Sequence, residues 1–259
     1  MAKDDATADS LADSVDDALL AKTRPPISAM LLLGIAAGAQ IGFGAIGYLV
    51  AQAGAEPGGA TQLLSGLAFS VGLMLVMVTG TQLFTGNTML VLPAAQDRLS
   101  MGETLRDWSV VWVANLIGSL AIAALFVASG ATGAVDGAVG QAALKTADTK
   151  LAKDWIELIA SGVLANMLVC LAVWMATGAQ TVSGKIVAVI GPVTLFVAAG
   201  FEHSVANMTL LPVAWGIDPA AVPVSALLGN LLLATAGNIV GGSLVAITLA
   251  AGHRTLKSG

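Results

Sequence analysis

Charged residues are scarce in this sequence. Only 10% of its 259 residues are Asp, Glu, Lys or Arg, whereas soluble domains have about 25%. The mean hydropathy of +0.86 is too high for a surface in contact with water, and the pI is about 4.8. These values exclude a soluble enzyme, a disordered protein and a nucleic-acid-binding protein, which would need a basic patch. A single cysteine, Cys170, excludes a disulfide framework and a multi-cysteine metal site.

Long apolar runs make up most of the chain. Residues of the set AVILMFWYC account for 56% of it, and 30 glycines are scattered without a period, as in closely packed membrane helices. A spanning helix needs about 20 apolar residues, so the runs between charges predict six membrane segments. A ridge of small residues on the first, Gly34, Gly38 and Gly42, predicts close packing within one protomer or between protomers. The segments lie near residues 27–51, 60–96, 104–129, 154–178, 185–215 and 223–251.

The chain ends differ from the apolar middle. The first 24 residues contain six aspartates, whereas a secretory signal peptide begins with a basic stretch. We therefore expect residues 1–24 to form an acidic, solvated tail that lies on the surface or is partly disordered, with any helix ending at Pro25. Residues 25–252 form the membrane domain, and residues 253–259 form a short C-terminal tail.

Lysine and arginine counts predict the orientation, because cytoplasmic loops carry more of these residues. An even number of membrane segments places both termini on one side. That side would carry eight basic residues and the other side three, all within one predicted loop, residues 130–153. We therefore predict a multi-pass protein of the plasma or inner membrane with both termini in the cytoplasm. The eight are Lys3, Lys22, Arg24, Arg98, Arg106, Lys185, Arg254 and Lys257, and the three are Lys145, Lys150 and Lys153.

Two pairs of stretches resemble each other along the chain. Residues 80–90 (GTQLFTGNTML) and 200–210 (GFEHSVANMTL) share a glycine and an asparagine at a shift of 120 residues. Residues 115–118 (NLIG) resemble 238–241 (NIVG) at a shift of 123. We interpret the first three and last three membrane segments as duplicated halves of opposite orientation, which is an inverted repeat.

The first matched pair lies inside the second and fifth membrane segments, among polar residues and glycines that make poor helix interiors. As a straight helix, the second apolar run would be about 60 Å long, twice the ~30 Å hydrocarbon core. We therefore predict that the second and fifth helices are broken. Non-helical backbone at membrane depth must be enclosed by protein or line a water-filled cavity, and paired broken helices indicate a transport site.

Glu202 and His203 are the ionisable residues deep in the predicted membrane segments. Placing such a group in a membrane is costly, so it is typically functional. Because histidine exchanges protons near neutral pH, we predict His203 as the pore group and Glu202 as its hydrogen-bonded support. The structural alternatives are an interior histidine that holds the break and a carboxylate that accepts from free backbone N–H groups.

Other functions have weaker support in the sequence. An intramembrane hydrolase would need more than the neighbours His203 and Ser204, and a metal site would need more ligands, so we expect no enzyme, no metal and no cofactor. The Asn-Pro-Ala repeats of water and glycerol channels are absent. Ammonium channels have two pore histidines, and only His203 lies in a predicted membrane segment. A non-transporting sensor or structural membrane protein is the alternative of a different class.

Four stretches resemble signatures of the formate/nitrite transporter family. The likeness covers residues 25–252. It implies an all-α membrane protein with six transmembrane helices, an aquaporin-like inverted 3+3 repeat, broken second and fifth helices, a pore in each protomer and assembly as a homopentamer. The four are residues 200–208 (GFEHSVANM), 82–89 (QLFTGNTM), 164–174 (LANMLVCLAVW) and 237–242 (GNIVGG).

The resemblance also implies the pore residues. The central pore histidine falls on His203, its threonine partner on Thr85, and a pore-facing asparagine on Asn238. Thr85 would end an omega-shaped break that begins near residue 80, and His203 would end an S-shaped break over residues 196–203.

Two apolar slits flank the histidine in this family. The outer slit would contain Phe69, Val169 and Phe196, and the inner slit Leu73 and Leu83. A vestibule lysine falls on Lys150, and its neighbour Lys153 shares or takes that role.

The implied function is passage of small monovalent weak-acid anions of the nitrite and formate class, linked to protons through His203, so that replacing His203 would abolish proton coupling. The partners would be the anion, protons and membrane lipid. Selectivity for formate, hydrosulfide or a short monocarboxylate is the alternative within the family. Gln82 stands where the family often has an acidic residue, and residues 84–89 (FTGNTM) with Met208 and Thr209 favour a nitrite channel.

Overall fold

The computed structural model describes residues 8–253; residues 1–7 and 254–259, which belong to the two predicted tails, lie outside it. Helices and turns make up this part of the chain, with no β-strand among residues 8–253. The helices are α1 (Ala8–Thr23), α2 (Ile27–Gln52), α3 (Gly59–Thr79), α4 (Phe84–Asn87), α5 (Val91–Ala95), α6 (Met101–Ala128), α7 (Ala138–Leu151), α8 (Trp155–Gly178), α9 (Val182–Ala198), α10 (Ser204–Ile217) and α11 (Val224–Gly252), with 3₁₀ turns at Thr88–Leu90 and Ala131–Gly133.

Six membrane segments are built from these helices. Helices α2, α3, α6, α8 and α11 are each long and apolar enough to cross a membrane. The second segment continues beyond α3 into the short helices α4 and α5, and the fifth comprises α9 and α10, of 17 and 14 residues. The predicted all-α fold with broken second and fifth helices is confirmed.

The two breaks have the same backbone geometry. Gly80 and Gly200 both adopt left-handed φ angles, 70° and 69°, which glycine accepts without steric cost. The N–H of the residue after each glycine donates a hydrogen bond to the carbonyl five residues earlier. Thr81 donates to Val76 (3.3 Å), and Phe201 donates to Phe196 (3.0 Å). This pattern ends a helix and satisfies its last carbonyls.

The breaks are shorter than the family resemblance implied. Thr85 already lies in the first turn of α4, and Phe196 still lies in the last turn of α9. The helix-ending glycines, rather than the whole polar stretches, set the limits of the non-helical backbone.

Each half begins with a helix that precedes its first membrane segment, α1 in one half and α7 in the other. Residues 130–153 were expected to be a loop, but α7 buries the small residues Val139, Ala143 and Ala147 against the core. These buried residues recur every four positions, which makes α7 amphipathic.

Helix α1 is also packed by one face rather than solvated all round. Ala12, Val15 and Leu19 are buried in a cluster with residues of α8 and α11. Arg98, which follows α5, forms an ion pair with Asp16 on α1. The acidic tail is thus a docked helix over its described residues.

Glycines let the long helices approach closely. A Cβ on Gly38 would lie 2.8 Å from the Asn115 Cα of α6, closer than real Cβ atoms come. The ridge of Gly34, Gly38 and Gly42 therefore packs within the protomer, against α6. In the second half, Gly237 and Gly241 of α11 meet the α8 backbone in the same way.

Candidate functional site

A cavity of about 400 Å³ opens beside α7 and the break between α9 and α10. Its walls include Lys145, Lys150 and Lys153, and Phe69, Phe196 and His203 also line it. The positive-inside count predicts that this is the outer side. The cavity is therefore a basic vestibule that leads to the predicted pore histidine.

Aromatic rings close the inner end of this cavity. Phe69 and Phe196 meet edge to face with centroids 5.7 Å apart, and Phe196 stacks on the His203 ring at 5.6 Å. All three side chains are at most 3% exposed. The other predicted slit residues, Val169, Leu73 and Leu83, are buried in the same apolar core and do not line the cavity.

His203 joins the two halves at the centre. It caps the N-terminus of α10, where its Nδ1 accepts a hydrogen bond from the Ala206 N–H (3.1 Å). Its Nε2 lies 3.0 Å from the hydroxyl of Thr85 in α4. Because an acceptor Nδ1 carries no proton, the proton of the neutral ring is on Nε2, and Nε2–H donates to Thr85 Oγ1.

Asn238 holds the second break in place. Its Oδ1 accepts from the Ser204 N–H (2.8 Å), and its Nδ2 donates to the carbonyls of Glu202 (2.9 Å) and Gly162 (2.8 Å). The side chain is fully buried. Its donors are therefore taken by the backbone and leave none for an anion.

Asn115 does the same for the first break. Its Oδ1 accepts from the Phe84 N–H (2.8 Å), and its Nδ2 donates to the carbonyls of Gln82 (2.9 Å) and Gly34 (2.8 Å). The repeat read from the sequence thus extends to individual hydrogen bonds.

The Glu202 carboxylate is fully buried and paired with two lysines. Lys150 Nζ lies 3.0 Å from Oε2 and Lys153 Nζ lies 2.6 Å from Oε1, and Asn207 Nδ2 donates to Oε2 (2.6 Å). Lys153 also donates to the Gly200 carbonyl (2.7 Å). The charges of Lys150, Lys153 and Glu202 sum to one positive charge in the cavity wall. Lys150 was expected to lie in the vestibule, and Glu202 was predicted as a hydrogen-bonded support.

Lys22 was missed as a site residue, having been used only to predict orientation. Its Nζ donates to Asn87 Oδ1 (3.1 Å), and its carbonyl accepts from Gln82 Nε2 (2.9 Å). Burial lowers the pKa of Lys22 from 10.5 to about 8. Lys22 and Lys150 are 128 residues apart, as are Gly34 and Gly162, so extending the repeat to the residues that precede the first membrane segment of each half would have found it.

Comparison with known proteins agrees with this geometry. The model of a family described as formate/nitrite transporter matches residues 9–251. The formate channel FocA of Haemophilus influenzae is 38% identical over 245 residues, which cover 86% of this chain and 85% of that protein. The nitrite transporter NirC of Escherichia coli is 33% identical over 211 residues, covering 80% and 77%.

Solved structures show the same fold. A pentameric formate channel with formate bound superposes with a TM-score of 0.82 at 35% identity, covering 89% of this chain and 98% of that one. A second structure, described as an FNT family ion channel, gives a TM-score of 0.83 at 30% identity, covering 94% and 98%. This chain is a member of the formate/nitrite transporter family of membrane channels.

Proposed function

We propose that this chain conducts small monovalent weak-acid anions of the formate and nitrite class through a pore within each protomer. The observation that carries the proposal is the contact between His203 Nε2 and Thr85 Oγ1, at the closed end of a cavity lined by lysines. A fixed hydrogen-bond donor beyond a positively charged entrance suits an anion rather than a cation.

The cavity wall supports capture of the anion. Glu202 neutralises one of the two lysines that it binds, so the wall keeps a net positive charge. Lys145 adds a further charge near the mouth. These charges raise the local concentration of anions without a deep, tightly binding site.

The aromatic floor supports a link to protons. Moving a bare charge between Phe69 and Phe196 into the apolar interior costs far more than thermal energy. A weak acid avoids that cost when the anion takes up a proton and crosses as the neutral acid. Proton-linked passage follows from the chemistry of the substrate.

The hydrogen bonds of His203 favour a neutral ring over an imidazolium relay. An imidazolium carries a proton on Nδ1 and would lose the bond that Nδ1 accepts from the Ala206 N–H. We therefore assign His203 the role of a neutral hydrogen-bond donor, whose Nε2–H rests on Thr85 Oγ1 and turns to the permeating acid, and we place proton uptake by the anion in the cavity before the ring.

The assembly and topology belong to the same proposal. The likeness to a pentameric formate channel supports a homopentamer in a lipid membrane, and the distribution of Lys and Arg supports both termini in the cytoplasm. The relatives named above are described as a channel and a transporter, which supports transport rather than catalysis.

Two observations bear on the choice between formate and nitrite, and they favour different anions. Whole-chain identity is 38% to a formate channel and 33% to a nitrite transporter. The stretch from Phe84 to Met89 resembles nitrite channels more closely. Both anions are therefore compared directly in the test.

The test is uptake of formate, nitrite and hydrosulfide into proteoliposomes at two external pH values, with the variants His203→Gln and His203→Phe. We expect flux that rises at acid pH, persists with that pH dependence in His203→Gln, which keeps an N–H donor, and falls strongly in His203→Phe. Loss of pH dependence in His203→Gln with flux retained would restore the imidazolium relay. Absence of flux for every anion in the wild type would overturn the proposed function and favour a sensor.

A further inference from the structure

Asn166 lies in α8, fully buried, and has no role in the function described so far. We infer that Asn166 is a positioning residue that holds Thr85 and Asn238 in place on either side of His203. The inference rests on the proposed function, because its effect is measured as anion passage.

Its amide nitrogen reaches both halves of the protein. Nδ2 lies 2.6 Å from the Asn238 carbonyl, 3.1 Å from the Thr85 carbonyl and 2.9 Å from Thr88 Oγ1. Backbone carbonyls only accept hydrogen bonds, so the atom that faces them is the nitrogen. Thr88 donates its own hydrogen to the Thr85 carbonyl (2.7 Å), which leaves its oxygen free to accept from Asn166.

The inverted repeat shows that helix packing alone does not require this amide. The position equivalent to Asn166 in the first half is Gly38, 128 residues earlier, and the position equivalent to Gly242 is Ser119, 123 residues earlier. Ser119 Oγ there donates to the Gly38 carbonyl (3.2 Å). In the first half, therefore, a serine opposite a glycine joins the two helices.

The second half reverses this arrangement, with the larger side chain on α8 and the glycine on α11. A Cβ on Gly242 would lie 2.7 Å from Asn166 Nδ2 and 2.9 Å from Cys170 Sγ, and it would overlap the Thr88 hydroxyl. The missing side chain leaves room for the amide to extend to the broken second segment. Asn166 Oδ1 has no hydrogen-bond partner among the described residues. An apolar side chain that only filled this space would not leave a buried polar atom unpaired.

The two groups that Asn166 holds are those that position His203. Thr85 accepts the Nε2–H of the ring through its hydroxyl, and Asn238 caps α10 immediately after the ring. One amide therefore connects the two elements whose separation sets the 3.0 Å contact at the centre. Without it, Thr85 shifts relative to His203, and a displacement of about 1 Å at a reacting centre can cost as much as 100-fold in rate.

The test compares Asn166→Leu with Thr88→Val in proteoliposomes. Thr88→Val removes a hydroxyl from the same cluster but leaves the bonds from Asn166 to both carbonyls. Initial rates are measured from low to saturating formate and nitrite, and pentamer assembly is followed by size-exclusion chromatography. For Asn166→Leu we expect a maximal rate lower by about tenfold or more, an altered formate-to-nitrite ratio and an almost unchanged KM, because the cavity lysines are intact. Thr88→Val should stay within about twofold of the wild type.

An assembled Asn166→Leu protein with the wild-type maximal rate and anion ratio would overturn the inference. If this variant does not assemble, Asn166→Ser decides, because the serine hydroxyl is small and polar but has a single hydrogen and cannot donate to both carbonyls: a reduced maximal rate supports the inference, and a full rate overturns it. Failure of the proposed function is distinguishable, since the wild type itself would then pass no anion.

Discussion

Lys22 and Lys150 occupy equivalent positions in the two inverted halves but face different partners. Lys150 donates to the Glu202 carboxylate at 3.0 Å, whereas Lys22 donates to the Asn87 amide oxygen at 3.1 Å. Gln82 stands in the first half where Glu202 stands in the second. The two ends of the protein therefore differ in charge although their backbones are related by the repeat.

This difference predicts a pH-dependent stability that Lys22→Met removes. The pKa of Lys22 is about 8 in the folded state because burial disfavours its charge, whereas the unfolded value is near 10.5. As the pH rises, the folded state therefore loses this proton at a lower pH than the unfolded state. The wild type gains stability between pH 8 and 10.5 for this reason. The melting temperature in detergent should rise relative to Lys22→Met over that interval, by several degrees.

Gln82→Glu provides the opposite control. A carboxylate at this position would favour the charged Lys22 and return its pKa toward 10.5. The rise between pH 8 and 10.5 should then disappear although Lys22 is present. Equal pH profiles for all three proteins would show that Lys22 is not the titrating group.

Replacing Thr85 tests the central hydrogen bond. Thr85→Val has nearly the same shape but cannot accept from His203 Nε2, so flux should fall by about tenfold, corresponding to the ~1.4 kcal/mol of one hydrogen bond. Thr85→Ser keeps the hydroxyl and should retain most of the flux. The measurement is formate and nitrite uptake per reconstituted pentamer, and wild-type flux in Thr85→Val would contradict the assignment.

Gly242→Ala tests the close packing around the polar cluster of Thr88, Asn166 and Cys170. The added methyl group would overlap the Thr88 hydroxyl, and overpacking of this kind costs about 1–3 kcal/mol. The melting temperature should fall by several degrees. Gly229→Ala in the same helix is the matched control, because none of the described residues would come within 4 Å of the added Cβ, and it should gain up to about 1 kcal/mol from better helix propensity.

Lys145→Gln tests capture at the mouth of the cavity. A single charge about 8 Å from an anion in water contributes roughly 0.5 kcal/mol, so uptake at low anion concentration should fall by about twofold while the saturating rate stays unchanged. The effect should vanish in high salt, which screens exposed charges. Asp148→Asn, one turn along the same helix, should raise uptake instead; a fall in the saturating rate of Lys145→Gln would point to a role deeper in the pore.

The periodic features of this fold were accessible from the sequence. Apolar runs limited by charges gave the membrane segments, and the matching positions of Gly80 and Gly200 located both breaks. These features depend on local backbone preferences and on hydrophobic burial, and both can be recognised in a single amino-acid sequence.

The remaining features depend on contacts between distant segments. Helix α1 contains many aspartates and was expected to be solvated, yet it docks because Ala12, Val15 and Leu19 share one face. The bond between His203 Nδ1 and the Ala206 N–H follows from the turn into α10, which the motif alone does not reveal. Asn166 falls in a recognised stretch, but its partners come from two other segments.

Phe196 has a consequence for how the entrance opens. Its ring contacts Phe69 on one side and stacks on His203 on the other. Any rotation of Phe196 that widens the passage must also uncover or tilt the imidazole. Opening of the passage and exposure of the hydrogen-bond donor are therefore coupled, so that the permeating acid meets the donor only while the aromatic barrier is displaced.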